Sequence, residues 1–157
     1  MHTIRMATAD DAGLIADQRQ QMFIDAGQTQ VADIPELRAN FIAWVRPRLE
    51  DGTYLGWLVE EDGVVIAGAG MWLMDFPPHW MDPEPVRAYL LNFYVEPAFR
   101  GRGLAVALLR LTVAEAGRRG IRVVSLHASK FGKPIYERNG FSASNEMMLR
   151  IPAPPAQ

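Results

Sequence analysis

Leu91-Asn-Phe-Tyr-Val-Glu-Pro-Ala-Phe-Arg-Gly-Arg-Gly-Leu-Ala105 is the stretch that decides the fold. It begins as a strand, is stopped by Pro97, and turns through two glycines and two arginines into a helical pattern. Leu104, Ala107, Leu108 and Leu111 follow the i, i+3, i+4, i+7 spacing of a buried helix face. A helix N-terminus leaves about four backbone N–H groups unpaired and carries roughly half a positive charge. Glycines at 101 and 103 let that backbone approach a bulky anion, and Arg100 and Arg102 add charge beside it. The pattern points to a phosphate or diphosphate seat; the purely structural alternative is a tight glycine-rich turn from strand into helix. A P-loop is excluded, because no Gly-x-x-x-x-Gly-Lys-Ser/Thr run exists and a nucleotide-dependent phosphotransferase would need its lysine. A dinucleotide fingerprint fails too, since Val106 stands where the third glycine belongs.

Working outward, Val86–Val95 reads as a strand. Before it, Asp75–Pro85 holds four prolines and reads as a loop. Tyr54–Glu60 and Val64–Met74 are strand-like, joined at Asp62-Gly63, a strong hairpin turn. His2–Met6 is a short strand, a first helix runs from Asp10 or Asp11 to Ala26, and a second from near Pro35 to Leu49. Downstream of the long helix, Ile121–His127 is a strand, Pro134–Arg138 a brief helix, and Ser142–Ile151 a last strand. The order is β-α-α-β-β-β-α-β-α-β, a mixed α/β sheet with flanking helices in one domain over residues 1–151, followed by a proline-rich tail over 152–157.

Length and composition set bounds. The 157 residues suit one domain, and 49% apolar with 22% charged residues is ordinary globular composition. The absence of cysteine excludes disulfides and a thiol nucleophile. No apolar run reaches the ~18 residues of a membrane span and no signal-peptide core is present, which predicts a cytoplasmic protein with no membrane partner. His2, His79 and His127 lack metal-ligand spacing, so no metal site is expected. Residues 1–95 carry a net charge of −8 and residues 96–157 one of +6, an asymmetry that suits an anionic ligand on the second half or a solvated helix face. A pI of about 5.9 argues against nucleic acid.

Val95-x-Pro97-x-x-Arg100-Gly101-x-Gly103-x-Ala105 and, after a helix and a strand, Tyr136-Glu-Arg-Asn-Gly140-Phe141 together resemble the GNAT superfamily of acetyl-CoA-dependent N-acyltransferases. The resemblance implies a mainly antiparallel sheet whose strands splay at an acyl-CoA cleft. It implies that Phe93, Tyr94 and Val95 pair with the pantetheine arm. The N–H groups of Gly101, Arg102, Gly103, Leu104 and Ala105, with the Arg100 and Arg102 side chains, would hold the diphosphate. Ser129, where many members carry Asn, would hydrogen-bond the cofactor. Tyr136 would protonate the leaving sulfur while a backbone N–H at Val95 stabilises the oxyanion. Outside the family pattern, Tyr136 reads as an amphipathic core tyrosine.

The implied reaction is direct transfer of an acetyl group from acetyl-CoA to a primary amine of a small molecule or peptide. The alternative is a catalytically silent acyl-CoA-binding sensor. Some members place a glutamate on the strand after the long helix; Arg122-Val-Val-Ser-Leu126 has none. Asp75, Glu60 and Glu96 remain as bases or as surface charges. Trp72, Met74, Phe76 and Trp80 could line an acceptor pocket, pack in the core or form a homodimer contact, and the acidic bias of the first half suits a cationic acceptor.

Overall fold

The computed structural model describes residues 1–156. Five strands form one sheet in the order β1-β2-β3-β4-β5: β1 (His2–Met6), β2 (Tyr54–Glu61), β3 (Val64–Asp75), β4 (Val86–Val95) and β5 (Val124–Leu126). The first four are antiparallel, and β5 runs parallel to β4. Asp62 and Gly63 both take positive φ (51° and 77°), the geometry of a two-residue hairpin turn that follows strand twist.

Side chains alternate across the sheet and give each face its own core. Helices α1 (Ala12–Asp25) and α2 (Glu36–Asp51) cover one face, packing Ile15, Phe41 and Val45 on Tyr54, Trp72 and Leu91. Helix α3 (Leu104–Arg118) covers the other, with Leu104, Leu108 and Leu109 against Trp57, Ile66, Met71 and Leu90. A short α4 (Lys133–Arg138) adds Tyr136 and, just past it, Phe141 to this second core. No helix among the described residues is long and apolar enough to cross a membrane.

Two irregularities position the site. Gly70 of β3 pairs with Leu91, yet Gly68 pairs with Tyr94, so Asn92 and Phe93 together oppose Ala69. This is a β-bulge, and Asn92 takes a φ of 59° within it. Second, β4 and β5 pair only from Ala88↔Val124 to Leu90↔Leu126. Residues 91–95 of β4 therefore stay paired with β3 on one side but have no strand on the β5 side.

The expected last strand at Ser142–Ile151 does not form; the described chain beyond Gly140 has no regular structure. Pairing needs a free edge and a face to cover. The outer edge of β5 offers only three residues, and Met147, Met148, Leu149 and Ile151 all stay exposed. The strand expected over Ile121–His127 likewise shortens to β5.

Candidate active site

The unpaired edge of β4 is the first component. Glu96 N–H donates to Ile66 C=O (2.9 Å) and Gly68 faces Tyr94, so hydrogen-bonded partners alternate and Val95 turns its own N–H and C=O away from β3. The Val95 carbonyl accepts from Arg100 Nε at 2.9 Å, leaving its N–H directed along the open edge. Phe93 and Val95 bury their side chains toward α3, whereas Tyr94 lies on the α1 face.

The turn into α3 is the second component. Gly101 and Gly103 adopt φ of 78° and 77°, a region that side chains with a Cβ enter at a cost. Among the described residues, no N–H from Gly101 to Val106 donates a well-formed hydrogen bond; the ladder starts with Ala107 N–H on Gly103 C=O at 3.0 Å. Nothing lies within 4 Å of a Cβ built at either glycine, so the space before this row of donors is open. A diphosphate fits such a cradle. The arginines are held by acids: Arg100 by Asp25 (2.6 Å) and Arg102 by Glu61 (3.6 Å). With their charge partly compensated by Asp25 and Glu61, the backbone N–H groups are the less committed donors of this turn.

Tyr136 is the third. Its ring meets Phe93 and Phe141 edge-on, at 6.4 and 5.8 Å between centroids. Its hydroxyl has no partner among the described residues, and burial raises its pKa above the ordinary 10.0. The phenol is thus a proton donor held ready beside the β4 edge. Ser129 lies in the turn that leads into α4: its Oγ accepts from Gly132 N–H at 3.0 Å, and its hydroxyl proton makes no hydrogen bond among the described residues.

A polar cluster on the α1 face escaped the sequence reading. Asn92 Nδ2 donates to the Tyr54 hydroxyl (2.9 Å), and Arg19 Nη1 donates to Asn92 Oδ1 (2.9 Å). A Cβ at Gly70 would collide with the Tyr54 hydroxyl, so that glycine is what lets the phenol reach Asn92. Burial pushes the Tyr54 pKa up to about 12. Nearby, Tyr89 packs on Trp72, and its hydroxyl hydrogen-bonds His127 Nδ1 just past the end of β5.

The suggested bases separate clearly. Glu60 is bound to Arg5 at 2.6 Å, two strands away from β4. Asp75 faces Val86, at the far end of β4 from the bulge. Only Glu96 borders the open edge, where the Tyr94 hydroxyl donates to it at 3.4 Å. Of the other acids of the first half, Asp11 pairs with Arg5 and Asp17 with Arg38, and Asp17 lines the groove that also holds Tyr94 and Glu96. Of the aromatics, Trp72 belongs to the α1–α2 core, and Trp80 stands 89% exposed on the loop.

The fourth strand of this mixed sheet parts from its parallel neighbour beside a glycine-rich helix start, and the whole arrangement is that of an acetyltransferase fold. Residues 17–141 match the acetyltransferase (GNAT) family model, and the chain belongs to that family. A GCN5-related N-acetyltransferase from Ralstonia eutropha JMP134 is 38% identical, with a TM-score of 0.89 over 96% of this chain and 99% of that one. A predicted acetyltransferase from Clostridium acetobutylicum, solved with acetyl-CoA, is 31% identical, with a TM-score of 0.88 over 96% of each chain. Glucosamine-6-phosphate N-acetyltransferase from Arabidopsis thaliana shares the fold at 18% identity, with a TM-score of 0.65 over 96% of this chain and 98% of that one. No curated protein matches.

Proposed function

We propose that the chain is an N-acetyltransferase that moves the acetyl group of acetyl-CoA directly to a primary amine. The observation that carries this reading is one continuous path: the free N–H row from Gly101 to Val106, the unpaired β4 edge at 91–95, and the unpartnered Tyr136 hydroxyl beside Phe93. The relative solved with acetyl-CoA supports the same donor. Bound there, acetyl-CoA supplies an activated acyl thioester.

The chain's own groups do the rest. The N–H groups of Gly101 to Val106 grip the diphosphate, with Arg100 and Arg102 held beside it by Asp25 and Glu61. The β4 edge pairs with the pantetheine amides as an added strand would. The Val95 N–H donates to the carbonyl oxygen as charge grows on it; loss of one such donor costs about 3 kcal/mol in other enzymes. Tyr136 holds a proton for the departing sulfur. A phenol of pKa ~10 is already about 2 kcal/mol too weak to protonate a finished thiolate of pKa ~8.5. Burial widens that gap, so the proton moves as the C–S bond breaks or is shared in a hydrogen bond.

The amine must arrive neutral. A lysine-like ammonium needs about 4.6 kcal/mol for this at pH 7 and an α-amino group only ~1. With Glu96 the one suggested carboxylate beside the edge, acceptors of low amine pKa are favoured. A homodimer is favoured by the exposed apolar side chains Met147, Met148, Leu149 and Ile151 close together near the end of the chain.

The test is thiol release from acetyl-CoA with a panel of amines. Turnover dependent on an amine supports the reading. Acetyl-CoA binding without turnover on any amine would leave a silent binding module instead.

A further inference from the structure

We infer that the Arg19 guanidinium binds a carboxylate of the acceptor, so that the substrates are amino acids or peptides presenting a free carboxylate near the reacting amine. The inference rests on the acetyl-transfer reading above and names the substrate class of that site. Half-buried on α1, Arg19 takes part in no ion pair among the described residues, whereas Arg5, Arg38, Arg100 and Arg102 each hold an acid. Of its five N–H donors it commits one, from Nη1 to Asn92 Oδ1. No fully buried side-chain polar atom among the described residues lacks a partner, so the guanidinium nitrogens left unbonded keep some contact with solvent, at a narrow crevice between Phe23 and Phe41.

The surroundings make this cation a receptor. Phe23 and Phe41 lie 4.7 and 5.2 Å from the guanidinium carbon and wall it in apolar surface. Burial there lowers the Arg19 pKa, the mark of a charge short of a counter-ion. An incoming carboxylate removes that deficit with a forked, charge-assisted pair of hydrogen bonds. The fork is oriented in advance, because Asn92 is itself tied to Tyr54. Its place suits the reaction: Asn92 is the bulged residue and faces α1, while the next one, Phe93, meets the Tyr136 ring on the α3 side, so Arg19 and Tyr136 flank the open β4 edge from opposite faces. A carboxylate at Arg19 brings its own amine to the strand edge where the thioester is proposed to lie.

The test compares the twenty α-amino acids with their carboxamides, in wild type and Arg19→Gln. With each kcat/KM expressed per neutral amine, so that the different amine pKa values of acid and amide drop out, the ratio of carboxylate over carboxamide should exceed about tenfold in wild type, the worth of a charged hydrogen bond, and fall toward unity in Arg19→Gln. Equal loss on both acceptor types, with the ratio kept, would make Arg19 only a brace for the bulge and overturn the inference. So would a wild type that prefers carboxamides, with acetyl transfer itself left standing. Where no amine turns over, tryptophan fluorescence titration with N-acetyl amino acids and their amides, in the presence of CoA, reads the same preference. Absence of that preference there is equally decisive, while failure to bind acetyl-CoA at all strikes the acetyl-transfer reading instead.

Discussion

Gly103 and Gly120 lie just outside the two ends of α3 and share a backbone conformation, each with φ of 77° and nothing within 4 Å of a built Cβ. Alanine at either position therefore meets the same strain. A left-handed alanine costs ~1–2 kcal/mol, and the stiffer unfolded chain returns ~0.4–1. The net loss is about 1 kcal/mol, or a Tm drop of roughly 2–4 °C for a chain of this length. Function should tell the two apart. At 103 the new methyl enters the space before the N–H row of Gly101 to Val106; at 120 it enters solvent behind the helix. Displacing a diphosphate far enough to lose one or two charge-assisted hydrogen bonds, at ~1.5–3 kcal/mol each, weakens binding about 10- to 100-fold or more. Scanning calorimetry should show matched destabilisation of Gly103→Ala and Gly120→Ala, and titration calorimetry with CoA should show weakened binding in the first alone. Wild-type CoA affinity in Gly103→Ala would refute the anion seat; equal weakening in both would assign the effect to helix strain.

Tyr136→Phe should lower kcat by about two orders of magnitude, in the range of a lost general acid, while CoA binding stays within about threefold of wild type. Because burial raises the Tyr136 pKa, its acid form persists past pH 10, and stopped-flow profiles should show no alkaline loss from this group below that pH. Tyr54→Phe strips Asn92 Nδ2 of its acceptor, and denaturant melts should show a loss of about 1–3 kcal/mol. The Arg5 guanidinium holds the Asp11 carboxyl below its ordinary 3.8. A depressed folded pKa stabilises above the unfolded value and is lost as pH falls through the folded one. Asp11→Asn should therefore lower Tm at pH 7, with the difference shrinking steadily below pH ~4.

Much of the fold was legible because its signals are local. The Asp62-Gly63 hairpin needs only two residues willing to take positive φ, and both do. The strand–turn–helix from Leu91 to Ala105 likewise states its own geometry, with Pro97 as the stop and the glycines as the turn. The strand expected at Ser142–Ile151 failed for the opposite reason. Its apolar run is genuine, but a strand exists only against a partner edge, and no local pattern reveals that β5 would be three residues long. The bulge was hidden in the same way. Nothing in Leu-Asn-Phe says that Asn92 would enter the left-handed region; only the shifted register with β3 does.

Arg19 differs, because its signal was present and unread. Ala12, Ile15, Ala16, Arg19 and Phe23 fall at i, i+3, i+4, i+7 and i+11, which sets a cation on the stripe that α1 turns to the sheet. A charge on the buried stripe of a helix must find an acid, neutralise or wait for a ligand. Guanidinium does not neutralise at physiological pH, and the acids nearest in sequence, Asp17 and Asp25, are engaged by Arg38 and Arg100. The polar Asn92 within an otherwise β-branched and aromatic strand is the matching irregularity on the sheet side, and the two meet at 2.9 Å. Each departs from the pattern of its own element, and together they stand where β4 leaves its neighbour, so the places where the sequence breaks its own periodicity coincide with the candidate acceptor site.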